Sequence, residues 1–252
     1  MSWRWAPTVR ADGLRLAVSL LTILPAGRRP DQPTAAGRAM GWAPLVGLLL
    51  GLAGAGTMAA SEAAGHPPLL AAAVGVGVLA VLTRGLHLDG LADTADGLGT
   101  ARPAADALSV MRGGDVGPFG VVTLVLTLLV QVAAAAQAGP LALLGAATVG
   151  RVAMTVACRR GVPAARPDGL GALVASTVPP MSAALLVLVA LAGSAALGWL
   201  GPLAVACGLL AGEALLWRCV RRFGGVTGDV LGAVCEVAVA TMLLVLATDL
   251  TR

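Results

Sequence analysis

The sequence predicts an all-α fold, a polytopic integral membrane helical bundle with about seven transmembrane helices and an N-terminal interfacial or re-entrant helix. Of its 252 residues, 58% are hydrophobic and 12% are charged, whereas a soluble domain is about 45–50% apolar and roughly 25% charged. The mean hydropathy is +0.88. The apolar residues form runs long enough to cross a bilayer. These observations exclude an ordinary cytosolic globule, a disordered chain and a disulfide-stapled secreted module.

Seven candidate spans divide the chain, which we take as a single membrane-embedded domain over residues 1–252. The spans lie near 42–64, 69–86, 117–138, 141–158, 181–197, 202–220 and 229–249. The connections after the first, third and fifth spans are short and almost uncharged, whereas the others are longer and carry arginines. Because basic residues concentrate in cytoplasmic connections, we expect the arginine-bearing side to face the cytoplasm.

The N-terminal segment, about residues 11–25, is apolar but short. It contains Arg15 and ends at Pro25. A full crossing would carry Arg4, Arg10 and Arg15 to the outer face, against the distribution of the other arginines. We therefore expect a helix that lies on the membrane or re-enters it. A cleaved signal peptide is the alternative, because basic residues precede a short apolar run.

Neither the basic residues nor the cysteines predict a separate binding function. The net charge is +4 and all seventeen basic residues are arginine, but the chain has no Tyr and two Phe. Bases would therefore find few stacking partners, and we expect no nucleic-acid partner. The cysteines form no CxxC pair and lie in or beside apolar segments, so small buried side chains are favoured over a metal or redox role. They are Cys158, Cys207, Cys219 and Cys235.

The densest run of polar residues is Arg84-Gly-Leu-His-Leu-Asp-Gly-Leu-Ala-Asp-Thr-Ala-Asp-Gly-Leu-Gly99. On a helix, Asp89, Asp93 and Asp96 fall within about 60° of one another. Such carboxylates repel, and in a bilayer centre each costs about 2.5–3.5 kcal/mol, so they need a cation or water. Mg²⁺ takes one or two carboxylates together with water and substrate phosphates. We therefore predict metal ligands for a metal–phosphate complex; an exposed acidic loop is the alternative.

A second acidic pair lies in Gly224-Gly-Val-Thr-Gly-Asp-Val-Leu-Gly-Ala-Val-Cys-Glu236. Asp229 and Glu236 are seven residues apart and share a helical face. The glycines before Asp229, including Gly225 and Gly228, allow a loop to approach a phosphate closely, and the next helix presents its N–H groups. Asp229 could instead cap that helix. Capping does not explain Glu236, two turns into an apolar helix.

Four more side chains are candidates for substrate or metal contact. Arg112 could bind a phosphate, and Arg151, inside a span, needs a carboxylate or phosphate partner. His87 faces away from the three aspartates on a helix, which favours proton transfer or a substrate hydrogen bond over metal ligation. Asp115 is either a further ligand or a helix start signal.

Residues 85–98 closely resemble the hallmark motif of the adenosylcobinamide-GDP ribazoletransferases, also called cobalamin synthases. Gly41-Trp-Ala-Pro-Leu-Val-Gly-Leu-Leu-Leu-Gly51 resembles the family's first long span. Gly224-Gly-Val-Thr-Gly-Asp-Val-Leu-Gly-Ala233, with Glu236, resembles its C-terminal motif. The similar segments extend from about Leu20 to Glu236 in the expected order.

The resemblance implies a late step of cobalamin (vitamin B12) biosynthesis that requires Mg²⁺. A hydroxyl of α-ribazole or α-ribazole 5′-phosphate attacks the pyrophosphate of adenosylcobinamide-GDP, GMP leaves, and adenosylcobalamin or its 5′-phosphate forms. The expected metal ligands are Asp89, Asp93, Asp96 and Asp229, with Asp229 and Glu236 also candidates for the base. The expected substrate contacts are Arg84, His87, Arg112, Arg151, Gly225 and Gly228. Membrane lipid is a further partner, and the sequence leaves homo-oligomerisation open.

One motif of this chain departs from the family pattern, and two other functional classes are alternatives to the family's function. Many members read Met-Arg/Lys-Asp-Ser-Arg-x-Gly where this chain has Met111-Arg-Gly-Gly-Asp-Val-Gly117, so the acid stands two positions later and an arginine is missing.

CDP-alcohol phosphotransferases carry D-G-x-x-A-R, but no Arg follows Ala92. An ion-coupled transporter would hold its acids near the midplane between paired halves, whereas these acids gather at the cytoplasmic ends of the spans.

Overall fold

The structure is a computed structural model that describes residues 7–25 and 33–248. Within them the chain forms eleven α-helices and a short 3₁₀ turn, without a β-strand. The helices are α1 (Pro7–Leu21), α2 (Pro33–Ala63), α3 (Pro68–Leu82), α4 (Leu86–Gly99), α5 (Ala104–Val110), α6 (Pro118–Ala138), α7 (Pro140–Ala157), α8 (Gly169–Val174), α9 (Pro180–Gly193), α10 (Leu200–Phe223) and α11 (Gly228–Leu246).

Six of the described helices are long and apolar enough to cross a membrane, which confirms the predicted polytopic helical membrane fold. They are α2, α6, α7, α9 with the 3₁₀ turn Ser194–Leu197, α10 and α11. Helix α2 begins at Pro33, earlier than the predicted span 42–64, so Arg38 lies within the helix. Helix α11 ends at Leu246, and residue 249 of the last predicted span lies outside the described residues.

The predicted second span, 69–86, does not continue straight to its end. Helix α3 ends at Leu82, and α4 begins at Leu86 at an angle of 87° to α3. The break occurs because Arg84 and Gly85 adopt left-handed backbone conformations, with φ of 55° and 65°, which end a right-handed helix. The acidic run therefore forms a separate helix, α4, outside the six spanning helices.

The N-terminal segment, about residues 11–25, is helical in α1 and lies against the bundle. A Cβ built at Gly13 would lie 3.0 Å from the Cβ of Arg38 on α2, so the two helices approach closely. Beyond the helix, the N–H of Ile23 donates to the carbonyl oxygen of Leu82 at 2.8 Å. The end of α1 is thereby attached to the end of α3, next to the bend that precedes α4.

Small residues allow the spanning helices to pack closely, as is typical of membrane bundles. A Cβ built at Gly51 on α2 would lie 2.8 Å from the carbonyl oxygen of Leu144 on α7. Gly150 on α7 likewise packs against Cys235 on α11. Helices α6 and α9 instead expose apolar side chains such as Leu129 and Leu188, the surface expected to contact lipid.

Candidate functional site

Helices α4 and α11 bring the two acidic motifs together. A Cβ built at Gly90 would lie 2.7 Å from the carbonyl oxygen of Asp229, and one at Gly232 would lie 3.1 Å from the Cα of His87. A side chain at Gly90 would force the helices apart, since real Cβ atoms essentially never approach backbone atoms so closely, and a side chain at Gly232 would make an unusually tight contact. The two glycines thus place Asp229 beside the acidic helix α4.

The carboxylates of α4 and α11 lie close enough to affect one another's charge. Asp89 is exposed, and Asp93 is half-buried. Burial raises the pKa of Asp93 to about 6, with further upward contributions from the negative charges of Asp89 and Asp229. Asp96 adds to this increase in the pKa of Asp93, and the positive charge of Arg166 opposes it. The site therefore concentrates negative charge that a bound cation would neutralise.

Asp96 has a different environment from its neighbours on α4. It is buried, and its Oδ2 accepts a hydrogen bond from the N–H of Gly117 at 2.8 Å. Its Oδ1 accepts one from the N–H of Gly120 at 3.0 Å. These N–H groups belong to the start of α6, where a helix has no internal acceptors for them. The sequence predicts Asp96 as a metal ligand. In the structure its carboxylate caps α6 and joins this helix to α4.

The connection between α7 and α8 adds two charged side chains that the sequence analysis missed as site residues. The half-buried Arg166 donates from Nη2 to the carbonyl oxygen of Leu108 at 2.8 Å. Burial lowers the pKa of Arg166, while the nearby carboxylate of Asp229 raises it; a guanidinium stays charged in either case. Asp168 accepts from Nη2 of Arg112 at 2.5 Å. The sequence signal that could have indicated these two residues is the concentration of arginines in the connection between α7 and α8.

A cavity of about 260 Å³ lies where α4, α8 and the start of α11 meet. One part of its lining is polar and another is apolar, which suits a ligand with both a charged and a ring portion. The polar side chains are His87, Arg166, Asp168, Thr227 and Asp229. The apolar side chains include Leu21, Leu86, Met154 and Leu170.

The start of α11 is not built as the alternative interpretation of Asp229, a helix cap, would require. Thr227 Oγ1 accepts a hydrogen bond from the N–H of Val230 at 3.2 Å and donates to Oδ2 of Asp229 at 3.0 Å. Thr227 is therefore the cap, and it orients the Asp229 carboxylate.

The two glycines predicted to approach a ligand have different positions. Gly228 lines the cavity, whereas Gly225 packs against the backbone of Pro163, so of these two only Gly228 is placed to approach a ligand.

Two predicted polar residues lie in the bundle interior. Nη2 of Arg151 lies 3.3 Å from Nδ1 of His87. Glu236 accepts a hydrogen bond from Nε2 of Gln131 at 2.7 Å. Seven residues along α11 correspond to about 10 Å, so Glu236 lies deeper in the bundle than Asp229.

Two further predicted candidates are solvent-exposed. Arg84 lies in the turn between α3 and α4, and Asp115 lies in the turn before α6. Neither side chain lines the 260 Å³ cavity. The structure thus brings Asp229, rather than Asp115, to the acidic residues of α4.

The acidic residues fit a metal ion that shares its ligands with substrate. Among the described residues, no three His, Cys, Asp or Glu side chains are grouped as a ready-made metal site. Mg²⁺ is usually bound by one or two carboxylates, with substrate phosphates and water completing the coordination. Asp89, Asp93 and Asp229 supply carboxylate oxygens from two facing helices, whereas both oxygens of Asp96 already accept hydrogen bonds.

Comparison with known proteins identifies the family. A model of the cobalamin-5-phosphate synthase family matches residues 13–247. An adenosylcobinamide-GDP ribazoletransferase of Frankia casuarinae is 45% identical over 92% of this chain and 93% of the relative. Proteins of the same name from Nocardioides sp. (46% identity, 92% and 97% coverage) and Bradyrhizobium diazoefficiens (40%, 93% and 92%) are also similar. No solved structure matches. The chain belongs to the cobalamin-5-phosphate synthase family.

Proposed function

We propose that the protein is a membrane-embedded adenosylcobinamide-GDP ribazoletransferase. A hydroxyl of α-ribazole, or of its 5′-phosphate, attacks the phosphorus that carries adenosylcobinamide. The new phosphorus–oxygen bond forms, the phosphoanhydride bond breaks, and GMP leaves, giving adenosylcobalamin or its 5′-phosphate. Family membership supports this function over the CDP-alcohol phosphotransferase and ion-coupled transporter alternatives.

The observation that carries the proposal is the meeting of acidic and basic groups where α4 and α11 touch. The Gly90 contact brings Asp229 to α4, and Arg166 lies near enough to influence the charge of both Asp93 and Asp229. Negative side chains beside a positive one suit a pyrophosphate that arrives with a divalent cation. The chemistry of the substrate named for the relatives therefore matches the charges at this site.

Asp89, Asp93 and Asp229 are the residues that would hold Mg²⁺. When bound, Mg²⁺ neutralises the charge that develops on a transferring phosphoryl group. Arg166 and the N–H groups at the start of α11 would bind phosphate oxygens.

The acceptor hydroxyl also needs a base within hydrogen-bond reach. Asp89 and Asp93 are the candidates, because Asp96 is occupied as a cap and Glu236 lies in the bundle interior.

The site faces the cytoplasm from the bacterial inner membrane in this proposal. Contacts among the arginine-bearing connections support a common face: Arg166 donates to the carbonyl of Leu108, and Arg222 donates to the carbonyl of Thr100 at 3.1 Å. These connections surround the acidic residues. Because basic connections stay on the cytoplasmic side, nucleotide substrates would reach the site from that compartment.

The test uses membranes that contain the protein, supplied with adenosylcobinamide-GDP, α-ribazole 5′-phosphate and Mg²⁺. Chromatography follows GMP and the corrinoid product, with an EDTA control. We expect GMP and cobalamin 5′-phosphate to form in equal amounts and only with the metal. GMP formation without a cobalamin product, or no turnover by folded protein, would contradict the proposal.

A further inference from the structure

His87 and Arg151 form a buried polar pair between α4 and α7. Their exposed fractions are 1% and 3%. Nη2 of Arg151 lies 3.3 Å from Nδ1 of His87, and Nη1 donates to the carbonyl oxygen of Ala147 at 3.2 Å. Arg151 was expected to contact phosphate, but the structure directs its guanidinium to the imidazole of His87 instead.

The pair determines which nitrogen of His87 carries a proton. A guanidinium has only hydrogen-bond donors and stays protonated, so Nδ1 of His87 must accept with its lone pair. A neutral imidazole carries a single N–H, which is then on Nε2.

The Nε2–H of His87 is a donor in need of an acceptor. This nitrogen is buried and has no hydrogen-bond partner among the described residues, although leaving such a group unpaired is unfavourable. His87 also lines the 260 Å³ cavity with Thr227 and Asp229. The buried donor and the cavity are independent observations, and both point to an oxygen acceptor on a ligand.

Arg151 has a compensating charge on its other side. Arg151, Gln131, Glu236 and Thr83 line a small cavity of about 20 Å³, a volume that admits one water molecule. Gln131 donates to Oε2 of Glu236 at 2.7 Å. Glu236 lines this cavity opposite Arg151 without a direct ion pair among the described residues, so a carboxylate at Glu236 would offset part of the cost of the buried guanidinium.

We propose that Arg151 is a positioning residue that holds His87 as the neutral Nε2–H tautomer, and that His87 donates this hydrogen bond to a phosphate or ribose oxygen of the bound nucleoside substrate. The identity of the substrate rests on the proposed transferase function. The tautomer of His87 does not depend on that function, so the tautomer and the substrate contact can be tested, and can fail, separately.

The tautomer is measurable because the chain has two histidines. His66 is exposed, so His66→Gln leaves His87 as the one imidazole. Nitrogen NMR of this variant, labelled with ¹⁵N-imidazole histidine in lipid bilayers, distinguishes protonated from bare ring nitrogens. We expect a proton on Nε2 and a bare Nδ1. A proton on Nδ1, or on both nitrogens, at neutral pH would overturn the proposal.

The role of Arg151 is tested by removing its charge together with the compensating one. Arg151→Met alone leaves the Glu236 carboxylate buried without its partner, which can prevent folding. The variant Arg151→Met with Glu236→Gln removes both charges, in the His66→Gln background. We expect it to fold and to show both tautomers of His87. An unchanged Nε2–H tautomer in this variant would overturn the role of Arg151.

The substrate contact is tested without turnover. GDP and α-ribazole 5′-phosphate are added separately to the His66→Gln protein in the presence of Mg²⁺. We expect one of them to shift the Nε2 resonance while Nδ1 stays bare, and the double variant to lose most of that shift. Saturating binding of both ligands with no change at Nε2 would overturn the contact, whether or not the protein releases GMP.

Discussion

Helices α4 and α11 each contribute polar residues to two regions with opposite surroundings. In the outer region, Asp93 and Asp229 stand near Arg166, and Asp229 and Arg166 line a cavity that can admit a ligand. In the inner region, His87 contacts Arg151, and Glu236 accepts from Gln131 within the bundle. The outer region has excess negative charge, whereas the inner region pairs Arg151 with His87 and Gln131 with Glu236 and leaves one donor, Nε2 of His87, without a partner among the described residues. The difference assigns metal binding to the outer carboxylates and a supporting role to Arg151 and Glu236.

Sequence spacing alone does not separate these regions. Asp89 and Asp96 are seven residues apart, as are Asp229 and Glu236. In each pair the first residue lies at the candidate metal site, while the second is buried with a hydrogen-bond partner. Shared helical faces therefore predicted common ligands where the structure shows different surroundings. The following experiments test this division, from the largest expected effect to the smallest.

Replacing Asp93 tests the outer region most severely. We expect Asp93→Asn to lower kcat by about 10³-fold, because it removes a carboxylate that serves the metal or the acceptor proton. Asp106→Asn is the matched control, since Asp106 is exposed on α5. The readout is Mg²⁺-dependent GMP release. Comparable activity in both variants would remove Asp93 from the site.

Replacing Glu236 tests the inner region. We expect Glu236→Gln to destabilise the protein by about 1.5–3 kcal/mol, because the buried side chain of Gln131 loses a charged acceptor. Glu213→Gln is the control: Glu213 forms a half-buried bidentate pair with Arg159, where solvent still screens the charges and the pair is worth about 1 kcal/mol. The measurement is the free energy of unfolding in detergent. Equal losses in the two variants would contradict the buried role.

Arg166→Gln tests phosphate recognition at the edge of the outer region. Charged hydrogen bonds are worth about 1.5–3 kcal/mol, so we expect KM for adenosylcobinamide-GDP to rise about 10–100-fold with a smaller change in kcat. Arg160→Gln serves as the control, because Arg160 is exposed in the same connection. An unchanged KM for Arg166→Gln would place the phosphate elsewhere.

Asp96→Asn tests whether this carboxylate is a cap rather than a ligand. In Asn an NH₂ donor replaces one carboxylate oxygen and cannot accept from the backbone N–H that it faces, so we expect a loss of about 1 kcal/mol in stability. Mg²⁺ should still raise the Tm of this variant, since metal that binds the native state stabilises it. Loss of the Mg²⁺ response with unchanged stability would instead make Asp96 a ligand.

The acidic cluster also has a predicted pH dependence without metal. The pKa of Asp93 rises from 3.8 to about 6 on folding, so the native state holds this proton more tightly than the unfolded state. Stability contributed by protonated Asp93 is therefore lost as pH rises from about 4 to 6. In EDTA, we expect wild type to lose more Tm over this interval than Asp93→Asn. An equal loss of Tm in wild type and in Asp93→Asn would contradict the raised pKa of Asp93 and the crowding of carboxylates that contributes to it.

The sequence predicts the membrane fold and indicates a candidate acidic site, but it does not predict how the helices and the site residues are arranged. Hydropathy indicates the spanning helices, and the Asp89–Asp96 run indicates the site, because both signals lie in contiguous residues. The bend at Arg84 depends on two left-handed residues, which hydropathy does not report. Arg166 reaches the site through tertiary contacts, and the His87–Arg151 pair joins distant segments. Such contacts have no local spacing pattern.

The central claim is that the outer carboxylates bind the metal and the inner ones do not. Mn²⁺ replaces Mg²⁺ as a spectroscopic probe, and electron paramagnetic resonance counts the ions bound in the presence of GDP. We expect wild type, Asp96→Asn and folded Glu236→Gln to bind one Mn²⁺ with similar affinity, and Asp93→Asn to bind it far more weakly. Unweakened binding by Asp93→Asn, or its loss in folded Glu236→Gln, would contradict the division between the two regions.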